Sequence, residues 1–249
     1  MTSAATVANI CRHPIKSMGR EALQTVTLVT GQTMPWDRTW AVSHELSKTD
    51  GTEWARCGNF LRVASSPALA AVTADFDETS ETITLHHPDM PSLTVKPDDA
   101  PQDIVAWATS LAKEGRAQPT GLVRIPGRGM TDSAFPSVSI ANLASHAAVA
   151  DHLNQNLSIH RWRSNIWLDG LSAWEEHNWL DRTVKIGNAT LTIKERAERC
   201  LNVQANPETG TRDLDVLAAL NHFGHQDFSV LAEVTEGGTI NIGDSVVLL

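Results

Sequence analysis

The chain has 249 residues, of which 41% are apolar and 20% charged, so it is long enough to bury the core of one large domain or two closely packed ones. Twenty Lys and Arg against 29 Asp and Glu give a net charge of −9, which argues against nucleic acid as a partner because phosphate binding needs basic faces. Three cysteines without C-x-x-C spacing, no recognisable leader and no run of 18 apolar residues predict a cytoplasmic protein without a membrane segment.

The first hundred residues are dominated by short apolar or alternating runs, which predict β-strands. Asp77-Glu78-Thr79-Ser80 supplies turn-forming side chains between two of these runs and predicts a hairpin there. The predicted strands cover residues 7–10, 22–29, 40–43, 67–76, 81–86 and 93–95.

Helical periodicity occurs in three places, each with start or stop signals. Ser and Asp are favoured N-caps, and Gly is favoured directly after a helix end. The predicted helices are residues 101–114 before Gly115, residues 140–155 after the candidate cap Ser139, and residues 213–223 from the candidate cap Asp213 to Gly224.

Strands resume in the second half of the chain. Gly187-Asn188 predicts a tight turn inside residues 183–193, and Glu236-Gly237-Gly238 predicts another hairpin turn. The remaining predicted strands are residues 164–169, 229–235, 239–242 and 245–249.

This order of elements predicts an α+β fold that is predominantly β, with a barrel-like sheet and about three helices, because strands and helices do not alternate regularly. Residues 113–128 are rich in Gly, Pro and Arg, which is typical of a seam between two parts. We therefore predict two domains, residues 1–112 and 113–249.

Cys200 is the candidate residue with the most distinctive chemistry. It follows Arg199, and a neighbouring guanidinium favours the thiolate, the form that binds metals or attacks electrophiles. The thiol also lies at a predicted junction between strands, where functional sites often form. An unpaired cysteine is otherwise a small buried apolar residue, so the residues alone leave both interpretations open.

Basic segments elsewhere could bind an anion. Lys16-Ser17 offers an ammonium and a hydroxyl in a loop bounded by Pro and Gly. Arg161 and Arg163, two apart in a segment predicted to be extended, would point the same way and could grip a phosphate. The alternative for these arginines is a solvated strand edge, and Asp37-Arg38 could be a structural ion pair, which would contribute little if it lay at the surface. The histidines form no zinc pattern and are interpreted as surface or capping residues.

Six segments follow one another in an order that is typical of a known family. They are His13-Pro14-Ile15-Lys16-Ser17, Gly31 with Asp37-Arg38-Thr39-Trp40, residues 131–136, Arg161-Trp162-Arg163-Ser164-Asn165-Ile166, Arg199-Cys200 with residues 206–210, and residues 237–240 with Gly243-Asp244. Together they resemble the MOSC family, the molybdenum cofactor sulfurase C-terminal domain with its N-terminal companion, and within it the amidoxime-reducing molybdenum enzymes. The chain departs from the pattern at Trp36, Ser164 and Asn206, where the family has Gly, Pro and Asp.

The resemblance implies a MOSC-type β-barrel with a smaller β-rich N-terminal domain packed on it, holding a molybdopterin-type molybdenum cofactor. It implies Cys200 as the catalytic ligand to molybdenum. The residues that it implies around the cofactor are Lys16, Ser17, Arg38, Ser139, Arg163, Asn165 and Arg199.

The same resemblance implies reduction of N-hydroxylated or N-/S-oxide small molecules. Electrons would come from a separate donor protein that carries flavin or an iron–sulfur cluster. The alternative is a carrier that holds the cofactor, or sulfur on Cys200, without turnover of its own.

Overall fold

A computed structural model of the protein describes residues 5–249, so part of the N-terminal stretch interpreted as lacking a leader lies outside the described residues. Strands predominate and three α-helices accompany them, which confirms the predicted α+β class. The strands are β1 (Thr6–Arg12), β2 (Glu21–Leu23), β3 (Thr25–Leu28), β4 (Trp40–His44), β5 (Thr73–Asp77), β6 (Thr82–His87), β7 (Met90–Val95), β8 (Pro119–Arg124), β9 (Val138–Asn142), β10 (Ile166–Asp169), β11 (Thr183–Ile186), β12 (Ala189–Glu198), β13 (Asp227–Glu236), β14 (Gly238–Asn241) and β15 (Val246–Leu248). The helices are α1 (Pro101–Thr109), α2 (Leu143–Leu153) and α3 (Val216–His222).

Eight strands form the main sheet, in the order β15-β11-β12-β13-β9-β10-β1-β2. Within this sheet, as described for residues 5–249, only β9 and β10 pair in parallel, and α2 makes the crossover between them. The Val7 N–H donates to Asp244 O at 2.9 Å, and the Val246 N–H donates to Ala5 O at 2.9 Å. These bonds join the start of β1 to the segment leading into β15, so seven strands close into a barrel, and β2 pairs with the other end of β1.

The barrel interior is filled by aliphatic side chains that alternate along its strands. Ala189, Leu191 and Ile193 of β12 point inward and are buried, and Val, Ile and Leu residues of the other strands meet them. The alternation ends after Ile193, where Lys194 to Arg196 are all exposed. The strand continues there past the core, along the pocket described below.

The two larger of the three remaining hydrophobic cores within residues 5–249 flank the barrel. One joins β4, the hairpin strands β5 to β7 and α1, with Trp40, Leu85 and Ile104 buried at its centre. The other packs α2 and α3 on the outside of the barrel, where the rings of Trp162 and Phe228 stack with centroids 3.7 Å apart. None of the helices among residues 5–249 is long and apolar enough to cross a membrane.

Several predicted strands differ from the observed ones. Residues 22–29 form two strands, because Gln24 leaves the ladder and its carbonyl accepts from the Ile242 N–H. Pro67–Ala71 is a 3-10 helix, since proline at its start favours a helical first turn, and the strand begins only at Thr73. The predicted hairpin of residues 229–242 is wrong: β14 pairs with β3 instead of β13.

Both predicted helix caps in the second half are also wrong. Ser139 lies within β9, and Asn142 caps α2 by accepting from the Ala144 N–H at 2.9 Å. Asp215 caps α3 by accepting from the Ala218 N–H at 3.0 Å. Asp213 is instead an ion-pair partner of Arg161, whereas Ser139 lines the pocket described below.

The predicted seam of residues 113–128 contains β8, which pairs with β4. In contrast, β1 lies in the barrel beside strands from the second half of the chain. A domain boundary between residues 112 and 113 stays a prediction.

Candidate functional site

A cavity of about 290 Å³ opens at one end of the barrel. Its walls come from β9, β12 and β13, from the segments preceding β4 and β10, and from the loop before β9. The polar residues that line it are Arg38, Thr131, Asp132, Ser133, Ser137, Ser139, Arg163, Asn165, Glu195, Arg196, Glu198 and Arg199. Cationic, acidic and hydroxyl side chains are therefore gathered at one place from distant parts of the sequence.

Three guanidinium groups, those of Arg38, Arg163 and Arg199, form what we call the basic wall of this cavity. Arg199 is fixed by hydrogen bonds to Trp162 O at 2.9 Å and to Phe228 O at 2.9 Å. Burial, aided by the charge of Arg38, lowers the pKa of Arg199 to about 10, so the group stays charged at neutral pH. It is a fixed cation at the end of β12.

Arg163 is less strongly held than Arg199. Its Nη2 lies 3.4 Å from Ile15 O and 3.5 Å from Met18 O, distances at which a hydrogen bond is weak. Burial and the neighbouring Arg38 lower the pKa of Arg163 to about 9, which still leaves it charged at neutral pH. A buried cation with such weak partners is suited to an anionic ligand.

Arg38 is held by a buried ion pair. Asp37 accepts from the Arg38 guanidinium, and it also accepts from the His13 backbone N–H at 2.8 Å. Burial opposes ionisation of Asp37, but Arg38 and these hydrogen bonds hold the pKa of that carboxyl below its ordinary value. Asp37 and Arg38 therefore form a structural ion pair, and it is not a surface pair because the Asp37 side chain is fully buried.

Left-handed backbone conformations cluster around the site. Ser17, Trp36, Arg38, Arg163 and Ser229 all have φ between 50° and 70°, a region that costs energy for residues other than glycine. The family pattern has Gly at the position of Trp36, and the left-handed backbone explains why. Here the Trp36 side chain offsets the cost by packing, since its ring stacks on Trp40 at 5.9 Å.

Ser139 and Asn165 interlock in the cavity wall. The Ser139 Oγ–H donates to Asn165 Oδ1 at 2.9 Å, and the Asn165 N–H donates to Ser139 Oγ at 2.9 Å. The Asn165 amide also donates to Cys11 O at 3.2 Å, which ties both residues to β1. This part of the wall is rigid.

Lys16 reaches the cavity only through Asp132. Its Nζ donates to Asp132 Oδ1 at 2.6 Å and to Met130 O at 2.6 Å. Burial lowers the pKa of Lys16, and Asp132 partly offsets that effect. The Asp132 side chain is 71% exposed. Desolvation by the surrounding protein opposes ionisation of this carboxyl, but the Lys16 ammonium outweighs that effect and lowers the pKa of Asp132.

Cys200 is exposed and directly follows Arg199 of the basic wall. It begins a loop of residues 200–213 that contains the short 3-10 helix Leu201–Gln204. The interpretation of Cys200 as a packed apolar residue is wrong, because its side chain faces solvent next to the cavity.

Three arginines, which we call the loop clamp, hold residues 200–213 in place. Arg161 makes two hydrogen bonds of 2.7 Å to the carboxylate of Asp213. Arg20 donates to Pro207 O at 2.8 Å, and Arg212 donates to Ala64 O at 2.5 Å. The loop that carries Cys200 is thus tied to both halves of the molecule.

Arg161 and Arg163 do not point the same way. Ile159–Trp162 forms a 3-10 helix and Arg163 is left-handed, so the extended conformation predicted for this segment is wrong. Arg161 turns to the loop clamp, whereas Arg163 turns to the cavity. Asn206, where the family has Asp, donates to Asp213 at 2.7 Å and so joins the clamp without adding a like charge.

The structure brings most of the predicted site residues together. Lys16 contacts the lining residue Asp132, Cys200 adjoins the lining residue Arg199, and Ser17 lies outside the lining. The predicted residues that line the cavity are Arg38, Ser139, Arg163, Asn165 and Arg199.

Some lining residues had not been assigned to a site from the sequence. Residues 131–136 contributed only to the family resemblance, although they bring Asp132 and Ser133 into the cavity. Glu195, Arg196 and Glu198 lie where the alternation of β12 breaks down, and that break was the available signal. The surface interpretation of the histidines is wrong for His87, and also for His13 and His177, because these three side chains are buried.

The donor set suits a cofactor with an anionic tail. Guanidinium groups and serine hydroxyls line one cavity, and among residues 5–249 Arg163 is left with only long contacts to carbonyl oxygens. A thiol lies beside this wall, and thiolates bind soft metal ions.

Comparisons with known proteins identify the family. One family model, described as the MOSC N-terminal beta barrel domain, matches residues 4–120, and another, the MOSC domain, matches residues 131–247. Mitochondrial amidoxime reducing component 2 of Bos taurus is 27% identical over an alignment 129 positions long, which covers 45% of this chain and 38% of that protein.

Among solved structures, the YUAD protein of Bacillus subtilis gives a TM-score of 0.47 at 10% identity, covering 98% of this chain and 94% of that one. YiiM from Geobacillus stearothermophilus gives 0.37 at 16% identity, covering 45% of this chain and 53% of its own. These scores are low, and the assignment depends on the sequence matches, which confirm the predicted relationship. The two family models together span nearly the whole chain, which therefore belongs to the MOSC-domain family, with the N-terminal beta barrel domain preceding the MOSC domain.

Proposed function

We propose that the protein is a molybdenum-cofactor-dependent oxidoreductase that reduces N-hydroxylated or N-/S-oxide small molecules, with electrons from a separate donor protein. The observation that carries the proposal is the convergence of Arg38, Arg163 and Arg199 on one cavity beside the exposed thiol of Cys200. The bovine amidoxime reducing component supports the choice of substrate class.

Each part of the site has a role in this proposal. Cys200 is the protein ligand to molybdenum. The basic wall holds the cofactor's anionic tail, because guanidinium groups form charge-assisted hydrogen bonds with phosphate oxygens. Ser139 and Asn165 keep the adjacent wall rigid through their mutual hydrogen bonds. When bound, the cofactor supplies the two-electron chemistry that removes oxygen from the substrate.

Lys16 and Ser17 have a more conditional role. The Lys16 ammonium is paired with Asp132, so it can bind an anion only by sharing or exchanging that partner.

The outer residues Glu195, Arg196 and Glu198 make the pocket mouth both acidic and basic. Such a mouth suits small polar substrates that carry hydrogen-bond donors and acceptors, as amidoximes do.

The test uses the wild-type protein and Cys200→Ser, both produced in a host that makes the cofactor. Molybdenum content is measured by elemental analysis, and turnover is measured with benzamidoxime and a reduced viologen dye. We expect the wild type to contain molybdenum and to reduce benzamidoxime, and Cys200→Ser to fall to the background rate with an unchanged thermal unfolding midpoint. Full activity of Cys200→Ser would remove the assigned role of the thiol.

The alternative is a carrier of the cofactor or of sulfur, and the exposure of Cys200 is the observation that favours it. A carrier would release its cofactor readily to an acceptor protein and would reduce none of the N-hydroxylated, N-oxide or S-oxide compounds with the dye. That combined result would replace the oxidoreductase proposal.

A further inference from the structure

A second cavity, of about 10 Å³, lies behind Arg163, between the loop of residues 200–213 and the N-terminal half of the chain. A cavity of this size holds a single small particle, one water molecule or one monatomic ion. Side chains of Arg20, Arg161, Arg163, His160 and Asn202 line it, and its other lining residues are apolar. No carboxylate is part of this lining within residues 5–249.

The buried donor of Arg161 is the second observation at this cavity. Arg161 is only 4% exposed, and its Nε has no hydrogen-bond partner within the described part of the chain. Its Nη atoms are already engaged by Asp213 and Val203 O. A buried N–H without an acceptor costs free energy, so a ligand that accepts from it would be stabilising.

Among residues 5–249, the arginines that line the cavity have no carboxylate in the lining to balance their charge. Asp213 pairs with Arg161, and Glu208 lies 3.2 Å from Arg20, but neither carboxylate lines the cavity. Arg163 has only carbonyl oxygens at 3.4 to 3.5 Å. Three guanidinium groups around one small cavity repel one another, and an anion between them would lower that repulsion.

We propose that this cavity binds one small monatomic anion, chloride in ordinary buffers, which bridges Arg20, Arg161 and Arg163. An anion is favoured over water because the lining offers several charged N–H donors and water would add no negative charge. The site is separate from the cofactor cavity, since only Arg163 lines both. Its effect is to hold the loop that begins at Cys200 against the N-terminal half.

The test measures thermal unfolding of the full chain in sodium chloride, sodium bromide and sodium gluconate at equal ionic strength. A bound halide raises the unfolding midpoint in a saturable way, by about 2–4 °C relative to gluconate. Equal midpoints in chloride and gluconate would overturn the proposal. Crystals grown in bromide should show an anomalous peak between the three arginines, and density there without such a peak would overturn it as well.

Two variants separate an anion site from a general effect on the loop. Arg20→Gln should lose the halide-dependent shift, because a neutral amide replaces one of the three cations. Arg212→Gln is the matched control: Arg212 also ties the loop to the N-terminal half, through Ala64 O, but it does not line the cavity. It should lower the midpoint and keep the halide-dependent shift, and loss of that shift in Arg212→Gln would count against the site.

Discussion

Two sets of three arginines lie close to the Cys200 loop and have opposite roles. In the loop clamp, Arg20, Arg161 and Arg212 donate to loop or domain acceptors at 2.5 to 2.8 Å. In the basic wall, the only partners of Arg163 in the described part of the chain are carbonyl oxygens at 3.4 Å or more. The same side chain serves as a structural tie in one region and as a candidate ligand-binding group in the other.

The comparison shows that partners, more than sequence neighbours, decide what an arginine does. Arg161 and Arg163 are two residues apart, yet one has a carboxylate partner and the other has none among residues 5–249. Arg199 is intermediate, because it lines the cavity while its guanidinium is held by Trp162 O and Phe228 O. The basic wall therefore combines one fixed cation, Arg199, with a less tightly held one, Arg163.

The largest expected effect comes from a substitution at Gly129, which packs against the backbone beside Arg38 of the basic wall. In Gly129→Ala, the new Cβ would lie 2.1 Å from Asp37 O, on the backbone next to Arg38. Backbone atoms cannot yield easily, so we expect a loss of about 3 kcal/mol or more in the free energy of unfolding. Urea unfolding measures this loss. We also expect a reduced molybdenum content when the variant is made in a host that synthesises the cofactor.

Gly58→Ala is the matched control for this substitution. No atom lies within 4 Å of a Cβ built at Gly58, and its φ is not in the left-handed region. It should change stability by less than about 0.5 kcal/mol. If both variants were equally stable, the close approach of Gly129 to Asp37 would not be what supports the wall.

A sharper test of the comparison exchanges the roles of Arg161 and Arg163. Arg161→Met leaves Asp213 without its partner and should cost about 2–3 kcal/mol, the lower end for a broken buried pair because Asp213 is 32% exposed. Arg163→Met removes a buried cation with weak contacts, so its free energy of unfolding should stay within about 1 kcal/mol of the wild type. Chemical denaturation measures both.

Cofactor retention should show the reverse order. Arg163→Met loses part of the basic wall, and we expect low molybdenum content despite a stable fold. Arg161→Met should be less stable than the wild type but should keep its full molybdenum content. The distinction between wall and clamp would fail if Arg163→Met were the less stable protein or if it kept all its molybdenum.

The pH dependence of stability sharpens the picture of the wall's support. Burial, with the charge of Arg163, lowers the pKa of His13 to about 3, below its usual value near 6.5. Below pH 6.5 the unfolded chain therefore binds a proton that the folded chain does not, and stability is lost as the pH falls. His13→Asn keeps an N–H donor for Asp37 and cannot titrate, so it should reduce the slope of unfolding free energy between about pH 6 and 4 by up to ~1.4 kcal/mol per pH unit.

Titration of Asp37 affects stability at a lower pH than that of His13. Its pKa in the folded protein lies below the ordinary value, so its contribution to stability is present above about pH 4 and is lost only at lower pH. Urea unfolding of both proteins at several pH values gives the two slopes. An identical slope for His13→Asn and the wild type would show that His13 is not titrating through this window.

The sequence predicted those parts of the fold whose patterns are local. Alternation located most strands, including the hairpin at Gly187, because one face of each strand is buried. The pairing of β14 with β3 was not predictable in this way, since residues more than 200 positions apart form it. Ser139 resembled a helix cap locally, but the antiparallel pairing of β9 with β13, in which Ser139 lies opposite Leu231, takes it into a strand.

The candidate site was predicted from the family resemblance more than from the residues themselves. Composition could not show that Asp37 is buried or that Arg161 has a carboxylate partner, because both depend on contacts between distant segments. The charged run at the end of β12 was visible in the sequence, but its neighbours around the cavity were not. Arginine-rich motifs therefore predicted that a basic site exists and could not assign each arginine to it.

The smallest expected effect concerns the loop clamp. Glu208 is 64% exposed and lies 3.2 Å from Arg20, a geometry in which ion pairs contribute little. Glu208→Gln should change the free energy of unfolding by less than about 0.5 kcal/mol, because Arg20 keeps its bonds to Ala70 O and Pro207 O. Arg20→Gln, which loses both carbonyl bonds, should be clearly less stable in the same denaturation series. A large loss in Glu208→Gln alone would mean that charge pairing at the surface, and not donation to buried carbonyl oxygens, is what holds the Cys200 loop.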